Sequence, residues 1–274
     1  MNTNLTVIIV VYKTKKNLLK NFISQIDESY KILIIDNSYF YDFADIENLK
    51  NVSIFRSKEN TGNGGGINIG LTRVDTPYAI YFDIDTFFKK NFLKEMEKCI
   101  LEIKNFCILI PNINSQYNSE NDFIELYDGE GAVMLFNVNE VIKIGLFDTT
   151  YFMSYEESDL FLRCKKYDKK IFILPKIHIK HDGSTSIEGD GANLDIIGVR
   201  SWHIAWSYFY FLKKNYSYFF AIKKTYLSLF KNFLKLFFFI YKNDKKNICI
   251  RYNRVLGLIN SMLLLKSSKR PKLD

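Results

Sequence analysis

Residues 78–88 read YAIYFDIDTFF, an apolar and aromatic run of strand length that ends in two aspartates one residue apart. Side chains of an extended segment alternate between faces, so Asp83 and Asp85 are expected to point the same way where the strand ends. A strand this apolar belongs in the interior of a sheet covered by helices, and ligands of such sheets gather beyond the carboxyl ends of the strands. An Asp-x-Asp pair alone is a common surface turn. Its place at the end of a buried strand makes it a candidate for holding a hard divalent cation together with diphosphate oxygens.

The surrounding sequence has the same alternating character. TVIIVVY (6–12), KILIID (31–36) and VSIFRS (52–57) are β-branched or aromatic, whereas KNLLKNFISQI (16–26) and KKNFLKEMEKCILEIK (89–104) space their apolar residues as helices do. Strands alternating with helices predict an α/β fold with a mixed, mostly parallel sheet and helices on its faces. FCILIP (106–111), AVMLFNV (132–138) and KIFILP (170–175) read as further strands around a polar stretch at 112–123. NEVIKIG (139–145), closed by Gly145, and ESDLFLRCKKYD (157–168) read as helices.

Between the third strand and YAIYFDID lies ENTGNGGGINIG (59–70), with glycines at 62, 64, 65, 66 and 70. It lacks the Gly-Lys-Ser/Thr ending of a Walker loop, and it follows the third strand instead of the first, where a dinucleotide fingerprint belongs. What remains is a backbone that approaches something closely, or bends, before entering a helix GINIGLTRV (66–74). A surface turn and a ligand loop fit it equally.

The 274 residues suffice for one large α/β domain with an appendage, or for two small domains. Cys99, Cys107, Cys164 and Cys249 form no CxxC pair, which points to reduced, mostly interior thiols of a cytoplasmic protein and away from structural zinc. The start, MNTNLTVIIVVYK, has no basic segment before its short apolar run and reads as a first strand, not a secretion signal. Charge divides the chain: residues 200–274 hold 16 basic against two acidic residues, while the rest hold 22 against 28. Two regions with different partners are implied, 1–194 and 195–274. The second is read as aromatic, basic, amphipathic helices, including Trp202 and Trp206, in which lysines interrupt every apolar stretch before it could span a membrane. A membrane interface, nucleic acid and plain helical packing compete for such a surface. The dispersed lysines favour anionic lipid, hence a protein held peripherally on the inner face of a cytoplasmic membrane, with no nucleic acid partner.

In order along residues 5–190, VVYK, IIDNS, ENTGNGGGINIGL, FDID, GAVMLFNVNEVIKIGLFDTTYF, YEESDLFLR and HDGSTS resemble the family 2 inverting glycosyltransferases of the GT-A fold, particularly their rhamnosyltransferase-like branch. The resemblance implies a Rossmann-like sheet with a C-terminal helical extension, and a glycine stretch that shapes a nucleotide-sugar pocket. It implies that Tyr12 and Asp36 hold the base, although Asp36 beside Asn37 and Ser38 also reads as a turn-starting residue. Asn60, Gly66 and Asn68 match the family's N-x-G-x-x-x-G-x-N-x-G pattern and would line the donor site together with Asp83.

The resemblance also implies Mn²⁺ or Mg²⁺ on Asp85, Asp83 and His181. His178, three residues away and on the opposite face of an extended segment, is assigned to packing. YEESD (155–159) matches the family's E-D-x-D segment with Glu157 where most members have Asp, which makes Glu157 the expected base and Asp159 the second candidate. Acids opening a helix also serve its dipole. In GLFDTTYF, Thr149 replaces the usual acid, and Asp148 reads as a structural loop residue. The function implied is transfer of a sugar, rhamnose from dTDP-rhamnose first, from a nucleoside diphosphate donor to a glycan or lipid-linked acceptor in surface polysaccharide synthesis. A UDP-sugar donor, a non-catalytic sugar-binding subunit and a nucleotidyltransferase are the alternatives.

Overall fold

The apolar run near the amino terminus forms β1 (Leu5–Val11), whose residues are almost all buried, and β1 is the strand about which the sheet is organised. The computed structural model describes residues 4–38, 42–127, 129–183 and 193–271. β1 pairs in parallel with β2 (Lys31–Asp36) on one side and β4 (Tyr78–Phe82) on the other, and β3 (Val52–Arg56) continues beyond β2. The chain thus moves outward from β1 in one direction and returns to its other side, which creates a topological switch at the carboxyl ends of β1 and β4.

Beyond β4 the sheet turns mixed. β8 (Val133–Asn137) runs antiparallel to both β4 and β6 (Phe106–Ile113), β6 pairs in parallel with β9 (Lys170–His181), and β5 (Thr86–Phe87) and β7 (Ile124–Glu125) pair antiparallel with β9. Among the described residues this is one nine-stranded sheet, and its mixed α/β character is what the alternation of the sequence predicts. α1 (Lys16–Ile23), α2 (Gly62–Leu71), α3 (Phe92–Glu102) and α4 (Val138–Lys143) connect the strands and bury Leu19, Phe22, Ile67, Met96 and Val141 in one apolar core.

The glycine stretch is not a loop. Gly62 onward is already helix, a conformation that glycine disfavours by about 1 kcal/mol per residue relative to alanine. The reason is packing: a Cβ on Gly66 would stand 2.6 Å from Cγ1 of Val10, and one on Gly70 would stand 2.7 Å from Cγ2 of Ile8. α2 therefore lies directly on β1, closer than any residue with a side chain permits.

By contacts the described residues divide into two compact units, one within Met1–Asp148 and Leu160–Glu188, the other within Thr149–Asp159 and Gly189–Asp274. The boundary falls inside α5 (Glu156–Lys166). The second unit contains α6 (Leu194–Asn215), α7 (Tyr218–Tyr241) and α8 (Lys245–Met262), each opened by a side-chain cap from Asn193, Ser217 and Asp244. The aromatic, basic stretch is divided at Tyr216 and Ser217, where α6 ends and α7 is capped. α6 and α8 pack tightly, since a Cβ on Gly257 would stand 2.3 Å from the Trp202 carbonyl oxygen. Trp202 and Trp206 are buried in this unit. No helix among the described residues is long and apolar enough to cross a membrane.

Candidate active site

β4 ends at Phe82, so the two aspartates converge through a turn and not through strand alternation. The Asp83 N–H donates to the Ala132 carbonyl at 2.7 Å, and the Thr86 N–H returns to the Asp83 carbonyl at 3.2 Å, closing a tight reversal across Ile84 and Asp85. That reversal delivers the chain to β5, which pairs with β9 so that Thr86 lies opposite His181. His181, nearly a hundred residues downstream, thereby reaches the aspartates. Its Nε2 lies 3.3 Å from Asp85 Oδ1 and 3.6 Å from Asp83 Oδ2.

One ligand atom from each of the three lies within 4.8 Å of the others, and no other such trio of His, Cys, Asp or Glu occurs among the described residues. Asp85 is buried, and His181 and Asp83 are partly so. Two oxygen ligands and one imidazole nitrogen suit Mn²⁺ or Mg²⁺. The electrostatics also favour a cation. Burial pushes the Asp83 carboxyl up to about 6, against the Tyr81 hydroxyl and His181, which lower it. The hydrogen bond to Asp85 is the main cause lifting His181 above its ordinary value.

Three supporting residues had no sequence signal. Tyr81, buried on β4, donates its hydroxyl to Asp83. Asn114 clamps the His181 backbone from both sides, accepting its N–H at 2.9 Å and donating to its carbonyl at 3.0 Å. Glu130 lies 4.0 Å from Nδ1 of His181 and is held by Gln116 at 2.8 Å. A carboxylate near the second ring nitrogen helps fix the orientation of a metal-binding histidine. His178 is exposed, not packed, and its Nδ1 sits 3.3 Å from the Ser115 hydroxyl. Ser184–Ser186 of the HDGSTS motif lie outside the described residues.

The residues expected to hold the nucleotide follow the strand ends. Tyr12 comes directly after β1 and is half-buried, its N–H directed at the Thr14 hydroxyl. Asp36 ends β2 fully buried; its Oδ1 accepts from the Ser38 N–H at 2.8 Å, as a turn-starting residue does, and its Oδ2 lies 3.5 Å from an Arg56 nitrogen. Asn60 accepts the Gly62 N–H at 3.0 Å and so shapes the entry to α2. Gly66 faces Val10 and Asn37. Asn68 uses both ends of its amide on the backbone of Phe147, donating to the carbonyl and accepting the N–H at 2.9 Å each.

In the second unit, α6 presents one stripe to the segment 149–159. The Arg270 guanidinium and the His203 ring pack against Phe152, Ser207 donates to the Met153 carbonyl at 2.8 Å, and Tyr208 and Phe211 stack on Tyr155. Ser154 and Tyr155 both adopt left-handed backbone, at φ 67° and 70°, directly before α5. Such conformations cost on the order of 1 kcal/mol each and persist where surrounding packing imposes them. Asp159 is fully buried. Its Oδ2 pairs with Lys214 Nζ at 2.8 Å and its Oδ1 accepts from Asn215 at 3.1 Å. Glu157, two residues earlier, remains half-buried. Asp159 is thus committed to internal pairing.

The Glycosyl transferase family 2 model matches residues 6–172. A dTDP-rhamnosyl transferase, RfbF, from Shigella flexneri is 24% identical over 246 residues, covering 79% of this chain and 82% of its own. Among solved structures, the Pyrobaculum calidifontis mannosyltransferase PcManGT in complex with GDP-Man and Mn²⁺ superposes with TM-score 0.58 at 10% identity, over 94% of this chain and 87% of that one. GalNAc-T7 with UDP, GalNAc and Mn²⁺ gives TM-score 0.58 at 13% identity over 69% of this chain, which spans only 44% of that protein.

Proposed function

Because the chain belongs to glycosyl transferase family 2, we propose that it moves a sugar from a nucleoside diphosphate donor to a hydroxyl of a glycan or lipid-linked glycan, with inversion at the anomeric carbon. The observation that carries this reading is the convergence of Asp83, Asp85 and His181 past the carboxyl end of β4. Rhamnose from dTDP-rhamnose is the first donor to test, supported by the similarity to the Shigella enzyme. Surface polysaccharide synthesis is the matching role.

Asp83, Asp85 and His181 would hold Mn²⁺ or Mg²⁺, and an ion bound there would neutralise the charge that develops on the departing diphosphate. Asp36 and Tyr12, at the ends of β2 and β1, would orient the base. Glu157 accepts the proton of the acceptor hydroxyl as that oxygen bonds to the anomeric carbon. The bond from that carbon to the phosphate oxygen breaks in the same displacement, and the nucleoside diphosphate leaves. Glu157 is preferred over Asp159 because the latter is buried against Lys214.

The test is turnover of dTDP-rhamnose and a panel of UDP- and GDP-sugars with Mn²⁺ or Mg²⁺. Glu157→Gln should abolish transfer while keeping donor affinity. Absence of donor binding and hydrolysis across the panel would refute the proposal. Donor binding without turnover in the unaltered protein would leave only a sugar-binding module.

A further inference from the structure

α7 is the least covered element of the second unit. Ala221, Thr225 and Asn232 face inward, whereas Phe219, Phe230, Phe233, Phe237 and Tyr241 are all exposed, Phe219 by 84% and Tyr241 by 90%. At ~100° per residue these five fall on one side of the helix, roughly opposite the packed side. Lys224, Lys231, Lys235 and Lys242 form their own row between the two sides at spacings of seven, four and seven residues. Neither Asp nor Glu occurs in Tyr218–Tyr241. Contiguous aromatic exposure of this extent marks an interaction surface.

We propose that α7 is a lipid-docking helix that lies in the plane of an anionic bilayer surface, its phenylalanines at the boundary of headgroups and acyl chains and its lysines on the phosphates. Three features select this occupant. No helix among the described residues is long and apolar enough to cross a bilayer, so a membrane would meet this apolar face from its surface. Lysine stems reach from a flank of the apolar face to headgroup level, as expected of interfacial helices. A second copy of the chain is disfavoured by charge: pairing two α7 faces would bring two lysine rows together with no acid on either helix to offset them. An anionic surface offsets them directly. Trp202 and Trp206 take no part, being buried on α6.

The full-length protein is sedimented with vesicles of phosphatidylcholine alone and of phosphatidylcholine with phosphatidylglycerol, at about 50 and about 500 mM salt. Binding is expected to the phosphatidylglycerol vesicles at low salt, to weaken at high salt, and to fall about tenfold or more in Phe230→Glu/Phe237→Glu and in Lys224→Glu/Lys231→Glu/Lys235→Glu. These positions are at the surface, and unchanged Trp202 and Trp206 fluorescence confirms that each variant is folded. Failure of the unaltered protein to bind anionic vesicles overturns the proposal, as does binding that both variants retain. A dimer by light scattering that Phe230→Glu/Phe237→Glu dissociates, without vesicle binding, assigns the face to self-association instead. Vesicle binding needs no sugar donor, so its outcome is separate from the test of transferase activity.

Discussion

Replacing Lys214 by Met should destabilise the helical unit by about 3 kcal/mol, the lower end of the ~3–5 kcal/mol that follows when one partner of a buried ion pair is removed. The lower end applies because the Lys214 side chain keeps 28% exposure, so part of its charge is already solvated, whereas its partner Asp159 keeps none. Asn215 still donates to Asp159 at 3.1 Å and holds part of the stranded charge. Asp159→Asn alone should cost less, about 1–2 kcal/mol, since the ammonium it abandons can turn to water. The double variant, with neither charge left buried, should cost less than the two singles together, by a coupling of about 2 kcal/mol.

The assay is urea unfolding followed by tryptophan fluorescence. The two tryptophans of the chain are both buried on α6, so the signal reports this unit alone even if the sheet unit unfolds separately. With a urea dependence of about 1–3 kcal/mol per molar, the Lys214→Met midpoint should drop by one to a few molar. Coupling below about 0.5 kcal/mol would show that the pair is not what holds the segment 149–159 to α6, and the preference for Glu157 over Asp159 as the proposed base would fail with it.

Three further outcomes are expected. Gly66→Ala and Gly70→Ala should each destabilise by about 1–3 kcal/mol, read by circular dichroism during denaturation, because a Cβ 2.6–2.7 Å from Val10 or Ile8 forces α2 off β1. Asp85→Asn and His181→Ala should each abolish Mn²⁺ binding in calorimetry while leaving the unfolding midpoint little changed; unaltered Mn²⁺ affinity in both would remove them from the ligand set. His203 is buried and neutral: burial, more than the nearby Arg270 and Lys269 charges, lowers its pKa to about 4 against the hydrogen bond to the Lys269 carbonyl. A depressed folded value means its contribution is fully present above pH ~6.5 and is lost as pH falls toward 4, up to about 3 kcal/mol, so tryptophan-detected stability should fall less with acid in His203→Gln.

The seven longer strands were legible because each is a local apolar run, whereas the two-residue β5 and β7 were not, and the switch at β1 follows from strand alternation and short connections. The site was legible only in part. Asp83 and Asp85 were found by their position after an apolar strand, yet strand alternation is not what joins them, since β4 stops one residue earlier and a turn does the work. His181 came from resemblance; its convergence depends on a two-residue pairing of β5 with β9 that leaves no periodic trace. Asn114 and Glu130 act from loops on a residue distant in sequence, and an asparagine or glutamate in a polar stretch announces nothing. The glycine stretch misled for a defined reason. Glycine opposes helix formation locally, and the gain that outweighs it, close seating of α2 on β1, is a tertiary one.

Segment 149–159 carries this point to the function. By sequence it belongs with the catalytic half of the chain, and the basic tail looks like an appendage whose business is elsewhere. By contacts the segment belongs with the tail. Ser154 and Tyr155 would relax from left-handed backbone if nothing opposed them, and what opposes them is α6: the Ser207 hydrogen bond on Met153 and the rings of Tyr208 and Phe211 on Tyr155. The direction in which Glu157 leaves the first turn of α5 is set by that backbone. An appendage that only anchored the enzyme would have no reason to grip the residues before Glu157. One that supplies the counter-charge for Asp159 and the packing for Tyr155 fixes the backbone from which Glu157, the proposed base, projects.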